Sequence, residues 1–469
     1  MAKKVAAAGP VEGPWALPDG WRWERLGDVC EPSQYGWTTK AASSGEIKFL
    51  RTTDISPGRV DWSTVPYCAE APSDLDRYRV KVGDILISRA GSVGKSFLID
   101  SVHEAVFASY LIRFRPLSVP RYIYHWLQTD TYWSMITENT AGIAIPNVNA
   151  SKLSDLPVPM APTRLRDSIV ARIDELFAEI DDGEAALARA RDDLATWRKA
   201  LLKAAVTGEL TADWRAANPT TESSVELLAR ILTERRARWE AEPRNKGKRY
   251  VEPPPAAETG LPALPDGWVW SAMGQLLDRI EAGLNVKCVE RPPNGTETGL
   301  LKISAVTWWR FNERASKTLA ESHVHPDEWL IAEGDLLVSR ANTLELVGAP
   351  AIVEELSLRL MLSDKVLRLV VPAELRRWTF YVMRSPFGRA WIESRATGNQ
   401  LSMRNISQEA LRAMPIPLPP RTELDYIVGL VSAASTQHDV MADNLSSFGS
   451  GAATLRQSIL AAAFRGELA

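Results

Sequence analysis

Two short phrases in the chain are written in nearly the same letters and close on Ser-Arg-Ala. Val82-Gly83-Asp84-Ile85-Leu86-Ile87-Ser88-Arg89-Ala90 reappears as Glu333-Gly334-Asp335-Leu336-Leu337-Val338-Ser339-Arg340-Ala341. In each, a Gly-Asp turn feeds an almost wholly apolar run, the pattern of a buried strand. A cation at the end of such a strand can meet a phosphate oxygen, or a guanine edge in the major groove. Polar residues of the same kind surround both phrases. In the first half they are Trp37, Thr38 and Lys40 in a glycine-containing polar loop, then Arg51, Thr52, Thr53, Ser92 and Lys95 at turns and strand ends. In the second half they are Lys302, Ser304, Trp308, Arg310, Asn342 and Arg404, with Asn285, Lys287, Lys365, Asn399 and Gln400 nearby. The chemistry on offer is hydrogen bonding to phosphates and base edges. Most of these side chains, taken singly, read as solvated charges. Arg89 and Arg340 are the strongest candidates because both halves carry them, and either can instead pair with an acid inside its own globule.

Catalytic patterns are missing. Amino-methyltransferases that use S-adenosylmethionine hold the target amino group with (Asn/Asp)-Pro-Pro-aromatic, and neither Asn218-Pro219-Thr220 nor Pro292-Pro293-Asn294 is that motif. Gly91-Ser92-Val93-Gly94-Lys95-Ser96 resembles only the tail of an ATP-binding phosphate loop. A nuclease-like Pro18-Asp19 with Glu46-Ile47-Lys48 is discounted, because the second half keeps the Pro-Asp turn without Glu-x-Lys. His323 and His325 lack neighbouring Cys or further His and read as loop residues rather than metal ligands.

Something must position two such sets of residues, and the stretch from Leu165 to Thr207 is the obvious frame. Ile169, Ile173, Leu176, Ile180, Gly183, Leu187, Ala190, Leu194, Trp197 and Leu201 alternate steps of four and three, a heptad stripe on one long helix that Gly208 stops. The spacing predicts a helix on the order of 60 Å long, which needs a partner. An offset of 258 residues finds one: Ile427, Val431, Ala434, His438, Met441, Leu445, Phe448, Ala452, Leu455 and Ile459. This second stripe is weakened by Gly449, Gly451 and a run of Ser.

The duplication extends to the rest of the chain. Leu17-Pro18-Asp19-Gly20-Trp21 returns as Leu264-Pro265-Asp266-Gly267-Trp268, and Phe49–Ile55 aligns with Leu300–Val306. Helix-like stretches, 120–139 and 374–395, lead in each half to a Pro-x-Pro segment before the long helix. Boundaries follow: a globule at 14–160, the central helix at 161–211, a charged helix and Pro-rich linker at 212–260, a second globule at 261–419, and a second long helix at 420–469. Residues before about Gly13 are Ala/Gly-rich and expected to be disordered.

Composition is that of an ordinary soluble chain, with 469 residues, 45% hydrophobic, 24% charged and a formal net charge of −3. Nucleic-acid binding would therefore rest on local patches rather than on overall charge. No apolar run reaches membrane length and no signal peptide is expected. Three scattered cysteines, Cys30, Cys68 and Cys288, suit a reducing cytoplasm.

The ordered set of paired motifs resembles the DNA specificity subunit of type I restriction–modification systems. It comprises the Leu-Pro-Asp-Gly-Trp openings, the Gly-Asp-(Ile/Leu)-Leu-(Ile/Val)-Ser-Arg strands, Asn147-Val148-Asn149 and Asn405-Ile406-Ser407, the Gly-Glu-Leu helix ends, and Ala237-Arg238-Trp239-Glu240. The likeness runs from Leu17 to Ala469. It implies an α+β chain: two similar α/β target recognition globules joined by two long helices in an antiparallel coiled coil. It further implies that each globule reads one half of a bipartite double-stranded DNA target. Two methyltransferase subunits would bind the scaffold, and motor-nuclease subunits would join for restriction. S-adenosylmethionine, ATP and Mg would belong to those partners, with no cofactor or metal in this chain. A competing reading makes the chain a non-enzymatic coiled-coil adaptor that joins proteins without reading DNA.

Overall fold

Apolar runs bounded by turn residues become the innermost strands of the molecule, and the heptad stripe becomes one unbroken helix. The computed structural model describes residues 11–56, 59–140, 147–218, 222–257, 259–307, 310–320, 329–400, 403–449 and 451–468. Trp308, His323 and His325 lie outside these residues, as do residues 1–10, where disorder was expected. The chain divides into two units, Met1–Arg189 with Leu445–Ala469, and Ala190–Asn444.

In the first unit, Ile85–Ser88 is buried at every position. It sits inside a four-stranded antiparallel sheet ordered Gln34–Tyr35, Leu111–Phe114, Ile85–Ser88, Ser96–Leu98. A second sheet is ordered Ala105–Phe107, Lys48–Leu50, Tyr67–Cys68, Ala41–Ala42, its first pair parallel. The Asp84 that opens the buried strand is fully enclosed and takes the Arg115 guanidinium at 2.6 and 3.0 Å. The Trp-x-Trp opening forms Arg22–Arg25, antiparallel to Pro157–Met160. Prolines are tolerated there because a two-stranded pair leaves one side of each strand without a ladder partner.

The second unit repeats the scheme on its own residues. Leu336–Ser339 is the buried strand, in a sheet ordered Arg279–Ala282, Val366–Val370, Leu336–Ser339, Pro350–Ile352. Asp335 takes Arg368 at 2.9 Å, as Asp84 takes Arg115. Gly299–Leu301 runs into a 3-10 turn at Ile303–Ala305, as Lys48–Leu50 runs into Thr52–Asp54. Among the described residues of this unit, Ala341–Asn342, Met403–Asn405 and Thr397–Gln400 form a three-stranded sheet. The linker helix Ser224–Ala241 starts in a Ser223/Glu226 capping box and buries Leu227 and Ile231 in the same core.

The two helix-like stretches are each a pair of helices. Pro120–Trp126 is followed by Asp130–Thr140, and Ala373–Arg384 by Pro386–Arg395. A hydroxyl marks both breaks: Thr129 Oγ1 accepts from Tyr132 N at 3.1 Å and Ser385 Oγ from Gly388 N at 3.1 Å. An N-cap side chain offers the next helix its own acceptor, so the second helix begins anew.

The central helix spans Thr163–Thr207, 45 residues. Gly208 then turns left-handed at φ 74°. The expected second long helix is instead two, a return helix at Arg421–Gly449 and a terminal helix at Ala452–Phe464. Glycine is the costliest non-proline residue in a helix interior, about 1 kcal/mol against Ala, and two stand at this break. Within the second unit the helices run antiparallel: Leu194 O meets His438 Nε2 at 3.2 Å, and Thr211 Oγ1 donates to Glu423 at 2.6 Å. The stripe is buried at Ile169 and Ile173 in one unit and at Ile427, Val431 and His438 in the other. Met441, Phe448 and Leu455 are more than half exposed. Within each unit the stripe is thus packed where the globule covers it and exposed beyond.

The ends explain the repeated Gly-Glu-Leu. A Cβ on Gly208 would lie 2.6 Å from Pro265 and one on Gly466 2.7 Å from Pro18. Each helix end thus rests on a Pro-Asp-Gly-Trp opening, too closely for any side chain. Buried Glu423 secures the second junction, accepting from Thr211, from Arg215 at 2.9 Å and from Trp268 Nε1 at 2.9 Å.

Candidate nucleic-acid interface

The polar residues of the second globule converge better than those of the first. Lys302, Ser304 and Asn342 line one cleft of about 650 Å³, together with Asn285, Lys317 and Lys365. Lys302 comes from the end of Gly299–Leu301 and Asn342 from the short strand after the buried one, so two sheets supply the walls. At the rim, Glu290 holds Lys302 at 3.1 Å and Lys317 at 2.5 Å. Hydrogen bonds from Lys317 and then Lys302 keep its carboxyl below the ordinary value. Glu290 and Lys317 were not singled out from sequence. Their pairing follows from strand Cys288–Val289 lying against Ser316–Leu319, which no local pattern announces.

Arg340 is exposed, and among the described residues its side chain has no ion pair or hydrogen bond. Its backbone is held on both sides: its N–H donates to Lys365 O at 2.8 Å, and its carbonyl accepts from Ile406 N at 3.0 Å. Arg89 has the same backbone clamp, donating to Tyr110 O and accepting from Val148 N. Its side chain differs. The guanidinium lies 4.9 Å over the Tyr35 ring, and its buried Nε has no hydrogen-bond partner among the described residues. Arg404 pairs across strands with Asn342 and donates to Gly398 O at 2.6 Å.

Several candidates turn out to be occupied. Arg310 lies away from the cleft, bound to Asp439 at 3.3 Å and Asp443 at 3.1 Å on the return helix, because those carboxylates lie within its reach. Arg51 closes on Asp54 at 2.6 Å, beside Thr52 and Thr53 in the same 3-10 turn. Trp37 is spent on structure, its Nε1 donating to Glu70 O at 2.9 Å and its ring tilted against Tyr78. Thr38, Lys40 and Ser92 are exposed. Lys95 lines a different cavity, with Arg121, His125 and Asp174.

The other chemistries do not assemble. Gly91 to Ser96 leads into strand Ser96–Leu98, so no helix N-terminus stands ready for a phosphate. Lys48 donates to Val65 O at 3.0 Å, a structural bond. Among the described residues no group of three or more His, Cys, Asp or Glu could hold a metal. Burial pushes the Cys30 thiol up to about 12, which leaves it inert.

A family model for the type I restriction modification DNA specificity domain matches residues 18–187, the first globule and the start of the central helix. The EcoKI specificity subunit of Escherichia coli strain K12 is 24% identical over 436 residues, covering 90% of this chain and 82% of that protein. Over most of its length the chain is similar to type I DNA specificity subunits. The Escherichia coli EcoEI specificity subunit is 31% identical over 254 residues, covering 53% of this chain, and that match spans only 40% of the relative's length. Among solved structures, a chain from a study of complex assembly and conformational transition of the type I R-M system covers 97% of this chain and 100% of its own, at TM-score 0.64 and 18% identity. The HsdS subunit of Thermoanaerobacter tengcongensis covers 97% and 99%, at TM-score 0.51 and 19% identity. These two likenesses concern the fold. The likeness to proteins named as specificity subunits favours the DNA-reading alternative over the adaptor. Among the described residues no helix is long and apolar enough to cross a membrane.

Proposed function

We propose that this specificity subunit reads a bipartite double-stranded DNA target, one half-site per globule, and that the paired helices set the spacer. The observation that carries the reading is the doubled strand-end arginine, Arg89 and Arg340, held by the same two backbone bonds in each globule. A backbone fixed on both sides delivers a side chain to one place, as readout of a base edge or phosphate demands. In the second globule the reading residues are Arg340, Asn342, Lys302, Ser304 and Arg404, with Lys365 and Lys317 supplying positive charge. In the first they are Arg89, Thr38, Lys40, Thr52, Thr53 and Ser92, while Lys95 lines a separate cavity. Trp308 is retained from the sequence as a candidate.

The chain is non-catalytic by itself. Two methyltransferase subunits dock on the scaffold and bring S-adenosylmethionine; motor-nuclease subunits bring ATP and Mg chemistry. The assembly works on DNA in the cytoplasm. Methylome sequencing of cells carrying this chain with its methyltransferase tests the reading. A two-part methylated sequence with a fixed spacer is expected. Replacing residues 15–158 by a relative's globule should change one half-site only, and change in both would count against separate readers.

A further inference from the structure

Each globule carries a loop that leaves the buried strand at its Ser-Arg end, and both loops are tied off at the neck by the same hydrogen bonds. Ser88 N donates to Lys95 O at 2.8 Å, and Gly94 N to Ser88 O at 2.9 Å. In the second globule Ser339 N donates to Ala349 O at 3.0 Å, and Gly348 N to Ser339 O at 2.8 Å. The serine hydroxyls complete each neck. They accept from Lys95 N at 3.0 Å and from Ala349 N at 3.2 Å. Ser88 Oγ in turn donates to Ser92 O, and Ser339 Oγ to Leu346 O at 2.6 Å. Both serines are buried, so losing either hydroxyl leaves an N–H and a carbonyl of the neck unpaired.

The support beneath the necks is shared too. Gly94 and Gly348 are left-handed, at φ 87° and 69°. A Cβ on them would lie 2.8 Å from Ile136 and 2.6 Å from Ile392, residues 256 apart on the second helix of each pair.

What the necks enclose is not shared. Between a leading Arg-Ala and a closing Val-Gly, the first loop has only Gly91-Ser92, and the second has Asn342-Thr343-Leu344-Glu345-Leu346. The longer tip has an extra support. Arg389 stands where the first globule has Trp133, and donates to Leu344 O at 3.3 Å, Glu345 O at 3.2 Å and Val347 O at 2.8 Å. Asn342 and Leu346 of this tip help to wall the cleft that holds Lys302.

A duplicated reader needs common parts for what every duplex shares, and different parts where its two half-sites differ. The necks are common and the tips differ in length and chemistry. Ser92 and Glu345 are exposed on them. A hydroxyl can pair with any base edge, whereas a carboxylate repels phosphates and accepts from the cytosine amino group.

We infer that the two tips, Gly91–Ser92 and Asn342–Leu346, are the specificity-determining segments of their globules, and that Ser88, Ser339 and Arg389 are positioning residues that hold them. This rests on the functional reading above, in which each globule reads one half-site, and narrows it to a segment whose exchange rewrites that half-site.

The test uses the full chain reconstituted with its methyltransferase, methylating a library of randomised bipartite targets. Putting Asn342–Leu346 in place of Gly91–Ser92 is expected to change preferred bases in the first half-site and leave the second untouched. Glu345→Gln, an exposed change of nearly equal size, should lower the preference at one base pair of the second half-site about tenfold. Ser339→Ala should broaden preference in the second half-site alone. A serine that serves only the fold would lower the melting temperature and leave preference as it was, which would remove its positioning role. Wild-type preference at every position in both the graft and Glu345→Gln would overturn the assignment of the tips. Should the graft not fold, Glu345→Gln decides by itself. A wild-type complex that methylates no bipartite sequence would instead overturn the functional reading, and the assignment with it.

Discussion

At the scale of single residues, Arg340 and Arg89 share a backbone setting and differ in what their guanidinium groups touch. Arg340 makes no ion pair or side-chain hydrogen bond among the described residues, so Arg340→Ala should leave the melting temperature unchanged and weaken DNA binding. A phosphate contact would make the salt slope shallower by about one unit for all sequences. A guanine contact would cost about 1–3 kcal/mol of discrimination at one base pair. Arg89 lies over Tyr35, whose hydroxyl accepts from Ala150 N at 3.0 Å. Arg89→Ala should therefore also lower the melting temperature, and a lowered temperature with unchanged affinity would assign Arg89 to the fold. Sequence could name these arginines because they sit at the end of a repeated apolar strand. It could not foresee that Arg310 is taken by Asp439 and Asp443, more than a hundred residues away. Nor could it show Glu290 bridging Lys302 and Lys317, since strand pairing alone brings them together.

At the scale of elements, the heptad stripe and its offset of 258 were legible because the period of a packed helix is written in the chain. The reciprocal pairs Arg198–Asp439 and Arg456–Asp181 repeat that offset in three dimensions. What the stripe did not disclose is that Met441, Phe448 and Leu455 stay exposed, because burial depends on which globule residues cover it. The break before the terminal helix has a direct test. Gly451 is right-handed helical at φ −87°, and a Cβ there would meet nothing within 4 Å. Gly451→Ala should stabilise by about 0.4–1 kcal/mol through the unfolded chain, read as a melting rise of roughly 1–3 °C. A lower melting temperature would mean that the break itself is needed. The tie between the first globule and the central helix titrates. Burial raises the Asp174 carboxyl, but His125 and Arg121 outweigh it and set the folded value below the ordinary 3.8. A lowered folded value gives stability present above the unfolded pKa and lost as pH falls through the folded one. The stability gap between wild type and Asp174→Asn should therefore be full at about pH 6 and close below about pH 4. A gap that stays constant across that range in denaturant melts would remove Asp174 from the account.

At the scale of the whole molecule, the proposed function makes the helices a measuring device, and the contacts within each unit say where it can be lengthened. The pair Arg198–Asp439 belongs to one unit and Arg456–Asp181 to the other. An insertion near Leu187 in the central helix and another near Leu445 in the return helix both fall between the two pairs. Made together, they leave each pair and each globule junction as it was. Made in one helix alone, they force one pair out of register. The insertion must be a whole heptad, or the stripe rotates away from its partner. Seven residues at about 1.5 Å each add roughly 10 Å. At about 3.4 Å per base pair, the preferred spacer should grow by up to about three base pairs, with both half-sites unchanged. Three base pairs also turn the duplex by about a third of a turn, so some affinity should be lost. Methylation of a library with randomised spacers by the reconstituted complex reads the outcome. An active double-insertion complex that still prefers the original spacer would show that the distance is set elsewhere than in the paired helices.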